Sequence, residues 1–258
     1  MKRLYRGAAT LALVFALFQG VFATTWFPQD FTCPIDQEKN TFMVVGSYGT
    51  YIYWWPSKYQ WLFWPVTDSP TFYTCKKCHL TTFMWDFDKI PKEKIADLKK
   101  ALADVKVSKS FKDYQELPVT ERLEIMVKVY AVLDKDEYWW ERFYRLEGYH
   151  YAREGKTETA LAARKKSLEM LAKFLKDPKA KIAQKELLYI SGAMKHFTGD
   201  DKGALEDMQK ALETKYQQEG ASAEDLKNGE AGMNERLKDY IEQIKSAKPP
   251  RLLDRSSN

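Results

Sequence analysis

Phe31-Thr32-Cys33-Pro34-Ile35-Asp36 and Thr74-Cys75-Lys76-Lys77-Cys78-His79-Leu80 carry all three cysteines of this 258-residue chain. Each stretch borders residues that favour strands. Thr41-Phe42-Met43-Val44-Val45-Gly46 follows the first and reads as a strand ended by glycine. Thr71-Phe72-Tyr73-Thr74 leads into the second, and Leu80-Thr81-Thr82-Phe83 leaves it. Two cysteine turns set among strands form the plan of a zinc ribbon. Zinc takes four soft or borderline ligands in a tetrahedron. Cys33, Cys75 and Cys78 supply three. Asp36 stands three residues after Cys33, as Cys78 stands three after Cys75, so i, i+3 spacing brings each pair to one side of a turn. His79 is the alternative fourth ligand, and imidazole is as acceptable to zinc as carboxylate.

The same residues admit a second chemistry. Cys75-Lys76-Lys77-Cys78-His79 satisfies the C-x-x-C-H pattern of c-type haem attachment. Cys75 and Cys78 would then form thioethers and His79 would be the proximal ligand, with Met84, His150 or His196 as a sixth. That reading leaves Cys33 without a role and expects a helix where the flanks look like strands. A dithiol switch lacks the βαβ surroundings of a thioredoxin-like fold. A single disulfide would leave one thiol over.

The chain starts Met1-Lys2-Arg3-Leu4-Tyr5-Arg6, continues without charge from Gly7 to Ala23, and offers Val21-Phe22-Ala23 as a small-residue exit. Residues 1–23 therefore read as a signal peptide, which predicts export to the periplasm or cell envelope. A membrane association is expected only if that segment stays uncleaved. Without Lys2, Arg3 and Arg6 the 41 basic residues fall to 38 against 36 acidic ones, a net charge of +2. No basic face for nucleic acid follows from that balance.

Between Tyr48 and Tyr73 the chain is dense in aromatic residues and is interrupted by Pro56, Pro65 and Pro70. Short strands and turns are expected there. The rings serve either as core bulk for a small β module or as an exposed platform. From Pro91 the pattern turns helical. Ile95, Leu98, Leu102 and Val105 recur at helical spacing, then Leu123, Met126, Tyr130 and Leu133 after Pro118. Leu146, Gly148, Gly155, Ala160, Leu161 and Leu168 recur 44 residues later as Ile190, Gly192, Gly199, Ala204, Leu205 and Leu212. This is a tetratricopeptide-like arrangement. It places a small residue at the helix crossing, a glycine at the turn and an alanine on the second helix. A last helix from about Ser222 to Lys245 would cap the stack.

With these motifs in place, the chain resembles the bacterial domain-of-unknown-function family 2225. The resemblance rests on Phe31-Thr32-Cys33-Pro34, on Ser69-Pro70-Thr71-Phe72-Tyr73-Thr74-Cys75-Lys76-Lys77-Cys78, and on Phe83 with Asp86-Phe87. It implies a zinc-ribbon-like start, tetratricopeptide-like helices and no known enzymatic activity. Asp36 stands where the family has a second cysteine, and His79 where it has a glycine.

The expected fold is α+β, mostly α. A zinc-ribbon-like, aromatic-rich β module spans 24–90, a helical domain 91–247 and a disordered tail 248–258. No nucleophile, P-loop, dinucleotide or zincin motif is present, so no catalytic residue is assigned. His150, His196, Glu147 and Glu186 read as ordinary helix residues. The expected function is that of an exported, non-enzymatic protein-binding or scaffolding protein. It would hold structural zinc at Cys33, Asp36, Cys75 and Cys78 and meet an unknown protein or peptide through its helical groove. The alternative is a periplasmic c-type cytochrome with haem at Cys75, Cys78 and His79.

Overall fold

The computed structural model of the chain describes residues 25–48 and 56–246. The expected signal peptide (1–23), the expected tail (248–258) and Tyr51, Tyr53, Trp54 and Trp55 lie outside the described residues.

The architecture is α+β and mostly helical, with three two-stranded antiparallel sheets ahead of seven helices among the described residues. Strand β1 (Thr25–Thr32) pairs with β2 (Lys39–Ser47) from Trp26↔Val45 to Thr32↔Lys39, with an irregularity at Thr25/Trp26. Thr25–Thr32 carries no apolar alternation, and its strand state comes from this pairing. Strands β3 (Pro56–Ser57) and β4 (Leu62–Phe63) form the second sheet, and β5 (Phe72–Thr74) with β6 (Thr81–Phe83) the third.

The helices are α1 (Ile95–Leu102), α2 (Val119–Val132), α3 (Glu137–Arg153), α4 (Thr157–Phe174), α5 (Gln184–Phe197), α6 (Asp201–Glu213) and α7 (Ala223–Lys245). Helices α3 and α4 pack as one hairpin, α5 and α6 as another. The two hairpins match at the 44-residue offset: α3 ends at Arg153 and α5 at Phe197, while α4 begins at Thr157 and α6 at Asp201. A Cβ on Gly148 would come within 2.7 Å of Arg164 Cγ and 3.4 Å of the Ala160 carbonyl. One on Gly192 would meet Met208 Cγ at 2.9 Å and the Ala204 carbonyl at 3.0 Å. Gly155 (φ 75°) and Gly199 (φ 91°) end the first helix of each hairpin in the left-handed conformation that glycine adopts without strain. Ser222 and Asp225 form a capping box at the start of α7.

Between Tyr59 and Tyr73 little of the aromatic stretch is strand. Its side chains fill the helical cores instead. Tyr59 is buried among α4–α7, Leu62, Val66 and Phe72 against α2 and α3, and Tyr73 beside the cysteines. Irregular backbone can be buried only if its polar groups find partners. Here the helices supply them. Arg145 donates to the carbonyls of Gln60 (3.0 Å) and Trp61 (2.7 Å), and His150 Nε2 lies 2.9 Å from that of Val66. Arg122 donates to Ser69 (2.8 Å) and Phe72 (3.1 Å), and Tyr114 to Pro70 (2.9 Å). Arg145 is itself held by a bidentate, fully buried pair with Glu141 at 2.7 and 2.9 Å, and Ser167 donates to the same carboxylate. The segment therefore runs along the face made by α3, α5 and α7. There Tyr59 also donates to Asp239, and Trp61 bonds Glu186 and stacks beneath Arg236.

Candidate metal centre

Each cysteine turn is the loop of a β-hairpin. Residues 33–38 join β1 to β2 and residues 75–80 join β5 to β6. The loops share one hydrogen-bond pattern. Cys33 N–H donates to the Glu38 carbonyl and Cys75 N–H to that of Leu80, both at 2.9 Å. Gln37 N–H returns to Cys33 at 3.0 Å and His79 N–H to Cys75 at 3.1 Å. The fifth residue of each loop is left-handed, Gln37 at φ 63° and His79 at φ 60°. Backbone N–H groups aim at the first sulfur in each: those of Asp36 and Ile35 at Cys33, and those of Cys78 and Lys77 at Cys75. The position that is glycine in the resembled family is thus one whose backbone favours glycine. His79 takes that conformation with its ring 6.1 Å from that of Phe111.

The two loops face each other. Cys33 Sγ lies 3.5 Å from Cys78 Sγ, and Cys75 Sγ lies 3.7 and 3.8 Å from the Asp36 carboxylate oxygens. One donor atom each from Cys33, Asp36, Cys75 and Cys78 falls within 4.8 Å of all the others. His79 is not among the four. A tetrahedron with zinc–sulfur bonds of about 2.3 Å has sulfur–sulfur edges of about 3.8 Å, and a carboxylate oxygen at about 2.0–2.2 Å shortens the mixed edges to roughly 3.5–3.7 Å. The observed separations are of that size. They are too long for disulfides, whose sulfurs sit about 2.05 Å apart, and all three cysteines are free.

Cys33 and Cys75 are fully buried, while Cys78 and Asp36 are half-buried. Packed so closely, the thiols shift one another's acidity. Hydrogen bonds from Cys33 and then Cys78 hold the Cys75 thiol low. Cys33 is raised to about 12, chiefly by its bond to Cys75, and Cys78 is raised by its bonds to Cys33 and Cys75. A divalent cation is the partner that lets all three sulfurs ionise together.

Asn40 ties the loops together, and nothing in the sequence pattern marks it. Its buried amide donates to the Glu38 carbonyl (3.0 Å) and to Cys75 Sγ (3.6 Å), and accepts from Lys76 N–H (2.9 Å). Glu38 N–H donates to Asp36 Oδ1 at 3.0 Å and fixes that carboxylate, while Lys76 pairs with Glu38 at 3.1 Å. Partners of this kind orient metal ligands. The histidines considered as sixth haem ligands are engaged elsewhere. Burial pulls His150 down to about 3 with its ring against Val66, and His196 pairs with Asp201.

Fold and site together define an α+β, mostly helical protein whose paired hairpin loops bring three cysteines and an aspartate close enough to hold a metal ion. The chain belongs to the family described as an uncharacterized protein conserved in bacteria, DUF2225, whose model matches residues 28–230. No curated protein and no solved structure matches it.

Proposed function

We propose that Cys33, Asp36, Cys75 and Cys78 hold one structural zinc ion, and that the chain is an exported, non-enzymatic scaffolding or protein-binding component of the periplasm or cell envelope. The observation that carries the metal reading is the convergence of four donors from two loops of matching geometry. Three thiolates select a borderline ion such as zinc over magnesium or calcium. Four protein ligands close the site, which suits structure better than catalysis. Bound there, the ion would link two hairpins that are otherwise separate sheets.

Haem attachment at Cys75, Cys78 and His79 has less support. Thioether bonds need both sulfurs open to a porphyrin edge, and Cys75 is fully buried with Cys33 packed against Cys78. The tetratricopeptide-like reading of the helices draws on the matched glycines of the two hairpins. Because residues 59–66 already occupy the face of α3, α5 and α7, the helices serve first as a frame for the loop-bearing segment. A protein partner would use the surface that segment leaves free. No helix among the described residues is long and apolar enough to cross a membrane.

The test is elemental analysis of protein purified from the envelope fraction. About one zinc per chain is expected, lost on Cys75→Ser. A red preparation whose Soret band survives acid–acetone extraction would establish haem instead. Intact-mass measurement on the same sample checks cleavage of the signal peptide: a chain starting at Thr24 supports it, and one retaining Met1 points to an uncleaved membrane anchor instead.

A further inference from the structure

The β1–β2 hairpin carries a cysteine loop at one end and an uncharged aromatic cluster at the other. Three large apolar side chains are exposed among the described residues, and two of them stand in this cluster: Phe27 at 48% and Tyr48 at 54%. Trp64 reaches it from just beyond β4, its ring 4.9 Å from that of Tyr48 and 6.1 Å from that of Trp26. Phe27 lies along Gly46, where a Cβ would come within 3.1 Å of its ring. Thr25 and Ser47 join hydroxyls at 2.6 Å beside it. Exposed rings grouped in this way mark a surface that something else covers.

The chain leading into the cluster says what covers it. No charged residue occurs from Gly7 to Gln29, and none from Asn40 to Tyr48. The hairpin's charges, Asp30, Asp36, Glu38 and Lys39, all lie toward the cysteine loop. The apolar run 7–23 is near the shortest that crosses a bilayer, and only Thr24 separates it from β1. As signal peptide or as anchor, that run brings the start of β1 to a membrane. Trp and Tyr are the side chains that settle at the membrane–water interface, the ring body among lipid and the polar edge toward the headgroups. A charged partner would find nothing to pair with at this end of the hairpin.

We infer that this end of the β1–β2 hairpin, with Trp26, Phe27, Tyr48 and Trp64, seats in the interface of a lipid bilayer. A strand rise of about 3.4 Å per residue puts Cys33 roughly 20 Å from Phe27. Immersion of the tip by about 5–10 Å, the usual depth of an interfacial element, leaves room for the cysteine loops to stay in water. The contact is apolar, so it does not depend on anionic lipid. It goes beyond the metal reading and holds whether or not the cysteine site carries an ion.

The experiment uses residues 24–258, which hold all three cores but lack the apolar run, so that any binding belongs to the folded part. The protein is floated with phosphatidylcholine vesicles, with and without phosphatidylglycerol, at low and high salt. It should float with both vesicles at either salt, and lipids brominated on their chains should quench tryptophan emission. The double variant Phe27→Ser/Tyr48→Ser should bind about tenfold more weakly, as expected for two half-exposed rings withdrawn from lipid. Its circular dichroism and melting temperature should stay unchanged, because both side chains are exposed. Trp85→Ser, at an exposed ring outside the cluster, should leave vesicle binding as it was. The inference is overturned if the protein does not float with phosphatidylcholine, if it binds only anionic vesicles and salt releases it, or if the double variant binds as well as the parent. It is equally overturned if the protein ignores vesicles but forms a concentration-dependent dimer that the double variant abolishes, since a second copy of the chain then covers the rings.

Discussion

At position 36 a carboxylate stands where the matching loop has Cys78. The backbone treats the two positions alike, but the donors differ. Carboxylate oxygen is harder than thiolate and leaves that corner of the site half-exposed. Asp36→Cys should therefore raise zinc affinity, on the order of tenfold, in competition with a chelator. An unchanged affinity would mean that Asp36 is not a ligand. The i, i+3 pairs were legible in the sequence because both members of a pair lie in one local turn. Asn40 was not, because its role depends on a loop 35 residues further on meeting it. Glu147 was read as an ordinary solvated charge and is buried. Burial raises its carboxyl from 4.5 to about 7, Lys166 opposing and Glu124 adding to the shift. Between those values the folded chain keeps a proton that the unfolded chain has lost. Stability is thus withdrawn as pH rises from about 4.5 to 7, up to about 3 kcal/mol at roughly 1.4 kcal/mol per unit. Urea denaturation should find Glu147→Gln more stable than the parent at pH 8 and equal to it at pH 4.

Helix periodicity placed the helical elements because each buries a stripe its own sequence displays, such as Leu123, Met126 and Tyr130 on α2. Residues 59–72 display no such stripe. Their conformation is dictated by Arg122, Arg145 and His150, which are distant in sequence, so only their bulk and aromatic character could be read. The glycines give a paired test at this scale. On α5, a Cβ at Gly192 would be pressed against the Ala204 carbonyl of α6, and backbone cannot give way cheaply. On α7, a Cβ at Gly232 meets nothing within 4 Å. Gly192→Ala should cost about 1–3 kcal/mol through overpacking, and Gly232→Ala should add about 0.5–1 kcal/mol through helix propensity. Equal effects at the two sites in thermal denaturation would show that α5 and α6 do not approach as closely as described.

A boundary near residue 90 separates strands from helices along the chain, but the cores do not respect it. Cys33, Cys75, Phe42 and Phe87 share a core with Leu98 and Leu102 of α1 and with Ile125 and Val129 of α2. The other side of α2 joins Phe72 and Phe83, the residues flanking the second loop's hairpin, to Phe143 and Leu146 of α3. Tyr59 is packed into the core of α4–α7. The strand-bearing segment thus contributes to all three cores, and the pivotal loops cannot loosen without exposing helix faces. Metal removal should therefore weaken the molecule as a unit. If the ion contributes about 3–5 kcal/mol, stripping it should lower the melting temperature by roughly 6–20 °C for a domain of this size. Calorimetry should still show one transition, with the near-ultraviolet aromatic and far-ultraviolet helical signals lost together. Two transitions, of which only the earlier responds to chelator, would mean that the cysteine loops form a module separable from the helices, and that the shared cores do not couple them.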